Sequence, residues 1–277
     1  MRSVTLPSGE RVPALGIGTW RMGERRAARA EEIATLRLAV DLGASLIDTA
    51  ELYGEGSTET LVGEALNGRR DEVFLVSKVH PRNASFAAVR QACERSLLRL
   101  RTDRIDLYLL HWLGEVPFSE TLEAFLALEQ EGKIRYFGVS NLDRAEMCKL
   151  WALPTAHAVA TDQVIYNLLR RGPEADLLPW LRERHIPVMA YSPFDEGRLL
   201  DDAKLGAFAE RHELSPAQAA LGWLLAQDDV IAIPKTSNRD RLMENVAALE
   251  HPLGSAELRE LDRAFPKPRG PEPLEML

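Results

Sequence analysis

Apolar residues fall along this chain in short, nearly continuous runs, separated by stretches of helical periodicity. The runs are Leu15–Ile17, Leu46-Ile47, Val73–Val76, Ile105–Leu110, Ile134–Val139, Ala158–Ala160, Pro187–Ala190 and Val230–Ile233. Runs of that kind suit strands buried on both faces, as in a parallel sheet. Between them, Phe86–Leu100 carries Val89, Cys93, Ser96, Leu97 and Leu100 on one side. Glu120–Gln130 does the same with Leu122, Phe125, Leu126 and Leu128, and Gly132 stops it. Ser215-Pro216 starts another helix with proline in its first turn. Asn238–Leu249 and Ser255–Phe265 are two more, and Ser57 reads as the N-cap of a helix carrying Leu61, Val62 and Leu66. Ahead of all this, Ser3–Leu15 reads as a β-hairpin turning at Pro7-Ser8-Gly9, with Val4 and Val12 flanking the turn. Eight strands, each usually followed by a helix, predict a (β/α)8 TIM barrel in the α/β class, one domain over 1–277. An open doubly wound sheet is the alternative. The Pro-rich tail Pro266–Leu277 is expected to be a short irregular closing segment.

Composition narrows the function. The chain has 277 residues, 45% hydrophobic and 27% charged, with a net charge of −8. That balance argues against a nucleic-acid or anionic-membrane partner, both of which want a basic face. No run approaches the ~18 apolar residues of a membrane span, and the first fifteen residues lack a signal-peptide core. The two cysteines, Cys93 and Cys148, lie in helix-like segments without a CxxC spacing, so both are expected to be buried free thiols. His80, His157, His185, His212 and His251 are scattered without metal-ligand spacing. A cytoplasmic, monomeric protein without a metal is expected.

The chemistry lies in what ends each run. Asp48, Lys78, His111, Asn141, Gln163, Tyr191 and Lys235 stand at or just past the carboxyl end of an apolar run. In a barrel those ends converge on one rim, where active sites sit. Each alone has a dull explanation: His111 before Trp112 could be a satisfied core histidine, and Lys78 a strand cap. Seven at the same relative position make that explanation poor. Asp48, Tyr53, Lys78 and His111 also fit together chemically. A phenol of reference pKa ~10 is a weak acid at neutral pH. A neighbouring ammonium stabilises the phenolate and lowers that value. Asp48 beside Lys78 would keep the lysine charged where burial opposes it. A histidine can donate a hydrogen bond to a carbonyl oxygen. Such a set could protonate an oxygen as it becomes an alkoxide.

The stretches LGIGTWRMG, LIDTAELYG, VFLVSK, IDLYLLHW, GKIRYFGVSNL, DQVIYN, VMAYSPF and IPKTSNRDRLMENV, in this order, resemble the aldo-keto reductase superfamily over nearly the whole chain. The pattern is most similar to small bacterial members of the methylglyoxal-reductase type. The resemblance implies a barrel that uses NADPH without a Rossmann fingerprint, and indeed no GxGxxG occurs here. It implies Asp48, Tyr53, Lys78 and His111 as the catalytic set. It implies Ser140, Asn141 and Gln163 at the nicotinamide carboxamide, Tyr191 beneath its ring, and Ser192 toward the pyrophosphate. Lys235, Thr236, Ser237 and Arg241 match a 2′-phosphate site, with Glu244 and Asn245 at adenine. Gly18, Thr19 and Trp20 are placed at the cofactor as well. Trp20, Tyr53, His111 and Trp112 are expected to wall the substrate pocket. The implied activity is NADPH-dependent reduction of small aldehydes, ketones, 2-oxoaldehydes such as methylglyoxal, or diketo sugar acids.

Several segments depart from the family. The Gly54–Glu59 turn is longer than in mammalian members, while the segment after His111 and the tail are short, which predicts an open pocket for small carbonyls. Two rival functions remain. A Schiff-base aldolase using Lys78 as nucleophile does not account for IPKTSNRDR or for Asp48. A regulatory subunit that holds NADPH and turns over little does not need the intact set of four.

Overall fold

The structure, a computed structural model, describes residues 2–277. Ser3–Thr5 (β1) and Arg11–Pro13 (β2) pair antiparallel as the expected hairpin, with Val4 opposite Val12. Both valines are buried, so the hairpin is packed against the core. Eight parallel strands follow: Gly16–Gly18 (β3), Leu46–Asp48 (β4), Phe74–Val79 (β5), Ile105–Leu110 (β6), Ile134–Ser140 (β7), Val159–Ile165 (β8), Val188–Tyr191 (β9) and Val230–Ala232 (β10). Each hydrogen-bonds to the next in sequence. The sheet closes on itself through parallel bridges Leu15–Ala232 and Gly18–Lys235 and the bonds Ala232 N–H to Ala14 O (2.8 Å) and Gly18 N–H to Pro234 O (3.0 Å). That closure selects the barrel over the open sheet.

Helices Arg29–Asp41 (α1), Ser57–Ala65 (α2), Phe86–Leu100 (α3), Phe118–Gln130 (α4), Arg144–Trp151 (α5) and Leu177–Arg182 (α6) follow β3 to β8 in turn. Ala203–Arg211 (α7) and Pro216–Ala226 (α8) lie between β9 and β10, and Arg239–Ala247 (α9) and Ser255–Ala264 (α10) complete the ring. Ser215 caps α8 in a capping box with Gln218, and Pro216 opens the helix. Among the described residues no helix is long and apolar enough to cross a membrane. The tail after Ala264 forms no regular element.

Three expectations need correction. The sixth strand is not Ala158–Ala160 but runs on to Ile165, because the ladder continues through Asp162 and Gln163 whatever their polarity. Ser57 is not an N-cap. Gly54, Glu55 and Gly56 all adopt positive φ, at 53°, 53° and 92°, and Gly56 becomes the cap residue. Ser57 is thereby already helical. Cys93 is a buried thiol, but Cys148 is exposed, because α5 turns Met147 and Leu150 inward and leaves the two positions between them, Cys148 and Lys149, outside.

Candidate functional site

The carboxyl ends of the barrel strands open on a cavity of about 560 Å³. Strand register sets its floor: Asp48 ends β4 opposite Gly18 and Val76, Lys78 on β5 stands opposite Leu109, and Ser140 stands opposite Gln163. Tyr53 enters from the left-handed turn after β4, its ring half-buried at the wall.

Lys78 lies beneath this floor, fully buried. Its Nζ donates to Asp48 Oδ1 and Oδ2 (both 2.7 Å), to Thr49 O (2.9 Å) and to Tyr53 OH (3.3 Å). Burial acts to depress the ammonium, but Asp48 and Tyr53 together outweigh it and raise the pKa above the ordinary lysine value. Lys78 is therefore a fixed cation. The phenol departs from expectation. Burial raises it, Lys78 lowers it and Asp48 raises it, and the net is a pKa above the ordinary tyrosine value. The lysine moderates that rise without reversing it, because burial is the larger effect and the Asp48 carboxylate adds to it. His111 stands edge-on to Tyr53, ring centroids 5.7 Å apart. Burial, with Lys78 and His80 nearby, pushes the imidazole down to about 2, so it is neutral. Its Nδ1 is buried without a partner.

The other expected residues fall into two groups. Gly18, Thr19, Trp20, Trp112, Ser140, Asn141, Gln163, Tyr191, Ser192 and Lys235 all line the same cavity as Asp48, Tyr53 and His111. Asn141 and Ser192 hold positive φ, at 62° and 47°, conformations that non-glycine residues rarely adopt and that collect at functional sites. Asn141 is locked by Tyr191 OH donating to its Oδ1 (2.9 Å) and by its Nδ2 donating to His111 O and Ser140 Oγ (both 3.1 Å). Gln163 Nε2 donates to Asp48 Oδ1 (2.8 Å), tying this group to the lysine below. Thr236, Ser237, Arg241, Glu244 and Asn245 do not line the cavity. They sit on the turn after β10 and on α9, beyond Lys235 at its edge. Asn238 caps α9 by accepting from Arg241 N–H (3.0 Å), and the Arg241 side chain is exposed. Arg239 pairs with Glu31 at 2.8 Å.

Sequence reasoning missed Glu24, Leu52, Gly54, Glu196, Ile233, Met276 and Leu277, which also line the cavity. The tail residues carry no periodic signal. They reach the cavity because Arg170 pairs with both Asp195 and Glu275, fastening the chain end over the rim.

The aldo/keto reductase family matches residues 14–265. The chain is 50% identical to Methylglyoxal reductase YeaE of Escherichia coli (strain K12), over 96% of this chain and 95% of that protein. It is 30% identical to a glyoxal reductase of Bacillus subtilis (strain 168), over 99% and 97%. A solved aldo/keto reductase from Klebsiella pneumoniae, in complex with NADP and acetate, superposes with a TM-score of 0.96 at 44% identity, covering 99% of each chain. With that geometry beneath these likenesses, the chain belongs to the aldo/keto reductase family of NADP-dependent oxidoreductases.

Proposed function

We propose that this protein reduces small aldehydes and 2-oxoaldehydes such as methylglyoxal to alcohols, with Tyr53 as the proton donor and NADPH as the reductant. The observation that carries the reading is the buried Asp48–Lys78–Tyr53 chain at the floor of the cavity, beside a neutral His111.

The residues present fit the cofactor. Gln163 spends its Nε2 on Asp48 and leaves its Oε1 for an amide donor, and Asn141 Oδ1 keeps a second lone pair. Gly18 leaves room at the cavity edge that a Cβ would fill, 3.1 Å from Ile233 O. Burial lowers the Lys235 ammonium, with Arg25 and Arg21 adding to that and Glu32 and Glu24 opposing it, so a phosphate there would give a half-buried cation a direct counter-ion. The start of α9 adds backbone N–H groups and the free guanidinium of Arg241. When bound, the nicotinamide supplies the hydride. The protein supplies the rest. Neutral His111 and the Tyr53 hydroxyl donate hydrogen bonds to the carbonyl oxygen and fix its direction. As negative charge develops on that oxygen, Tyr53 O–H gives up its proton to it. Lys78, held cationic by Asp48, stabilises the phenolate left behind. Trp20, Leu52 and Trp112 offer apolar walls to a small substrate.

A panel of methylglyoxal, glyceraldehyde, a diketo sugar acid and nitrobenzaldehyde, followed by NADPH absorbance, tests the reading. Methylglyoxal is expected to give the largest kcat/KM of the four. Absence of NADPH consumption with every member overturns reductase activity and favours the low-turnover regulatory reading.

A further inference from the structure

Asp162 is a buried acid that the chemistry above does not use. It is fully buried on β8, directly before Gln163, and neither carboxyl oxygen has a hydrogen-bond partner among the described residues. An ionised carboxylate in such a place is far more costly than a neutral acid. Tyr191, at the end of the neighbouring β9, also feels its charge, and two carboxylates face it from the start of α5: Asp143, the N-cap, and Glu146 in the first turn. Both oppose a third negative charge. The adjacent strands place only Val139 and Val188 opposite it. Leu142 N–H is the one group turned so as to favour the anion. Burial nonetheless holds the carboxyl well above the usual carboxylate range.

Leu142 follows Asn141, the strained residue at the cofactor end of the cavity. Their turn is fastened to β8 by Asn141 N–H and Ser140 Oγ, both donating to Gln163 O (2.9 and 2.8 Å). The β7–β8 pairing shifts register between Phe137 and Val139, which brings Ser140 opposite Gln163 and Val139 opposite Asp162. Asp162 thus backs the turn from the helix side while Gln163 grips it from the cavity side. We propose that Asp162, as a neutral carboxylic acid, is a positioning residue for the Ser140–Asp143 turn, and that ionising it displaces Asn141 and weakens NADPH binding. The anion would draw in Leu142 N–H and repel Asp143 and Glu146, and all three belong to that turn or to the helix it starts. The proposal rests on the NADPH reading above.

A carboxyl raised in the folded state binds its proton more tightly folded than unfolded, so the stability it contributes is lost as pH rises toward its folded value. Asp162→Asn keeps the shape of the neutral acid and cannot ionise. NADPH binding, read by quenching of protein fluorescence, and thermal melting are measured for both proteins from about pH 6 to about pH 9.5. At the acid end the two Kd values should agree within about twofold. Toward the alkaline end the wild type should weaken on the order of tenfold relative to the variant, since each unit of difference in proton affinity is a factor of ten. The melting difference should widen in the variant's favour over the same range. Asp162→Ser, also unable to ionise, must share the flatter profile. Parallel Kd profiles for wild type and variants overturn this proposal alone. A wild type that binds no NADPH at any pH overturns the functional reading instead, and this proposal with it.

Discussion

Lys78 shows what a single residue does here. Its ammonium is fully buried and held by Asp48, itself 3% exposed. Removing one member of such a pair leaves an uncompensated buried charge, at a cost of about 3–5 kcal/mol. Lys78→Met should therefore lose both kcat and stability, because it strips Asp48 of its partner and the phenolate of its cation. Asp48→Asn should be milder in kcat, since a hydrogen-bonding group remains beside Lys78, but it too leaves a buried charge unpaired and should lose stability. The double variant should recover most of the stability while kcat stays low. Urea unfolding and steady-state kinetics read the two effects separately. A double variant no more stable than Lys78→Met would show that the pair is not the stabilising unit. Tyr53 adds a pH prediction. Because its pKa is raised, its acid form survives above the ordinary ~10. At saturating NADPH, kcat for reduction should show no loss assignable to Tyr53 below about pH 10.

At the scale of elements, the close contact of α2 and α3 sets a clear test. A Cβ on Gly63 would lie 2.5 Å from Arg99 O and 2.7 Å from Leu100 C. Helix propensity alone favours alanine over glycine by about 1 kcal/mol. The contact is with backbone, which cannot rotate away, and overpacking of this kind costs about 1–3 kcal/mol. Gly63→Ala should lower Tm by several degrees; a raised Tm would mean the helices separate freely. The start of α9 carries the second prediction. Losing one charge-assisted contact to a phosphate costs about 1.5–3 kcal/mol, roughly 10- to 150-fold. Arg241→Ala should raise Kd for NADPH by that factor and leave NADH nearly unchanged. Equal weakening of both cofactors would make Arg241 structural.

These elements also show how far the amino-acid pattern reaches. Strongly periodic α3 is legible residue for residue, and so is β6, where every position is apolar or buried. Helices α1 and α5 are harder. The buried face of α1 includes Glu32 and Thr35, and α5 is short, so a hydrophobic pattern gives little to read. The end of β8 was hidden because its polar residues, Asp162 and Gln163, break an apolar run but not a backbone ladder. Cavity residues at strand ends were legible, since topology puts them there. Met276 and Leu277 were not, because ion pairs distant in sequence carry them to the rim.

For the whole molecule, barrel closure is what turns seven scattered strand-end residues into one site. The hairpin, the ring of helices and the tail serve that arrangement. The proposed reduction of carbonyls with Tyr53 as the acid has a direct test. Tyr53→Phe keeps the ring and removes only the hydroxyl, and losing a general acid typically costs ~10²–10⁴-fold in rate. The decisive measurement is kcat for methylglyoxal reduction by Tyr53→Phe, with the NADPH Kd determined on the same preparation. Kd should be unchanged, within about twofold, and kcat lowered by at least ~10². A variant that binds NADPH normally and keeps more than about a tenth of the wild-type kcat would contradict that assignment, because the proton would then come from elsewhere.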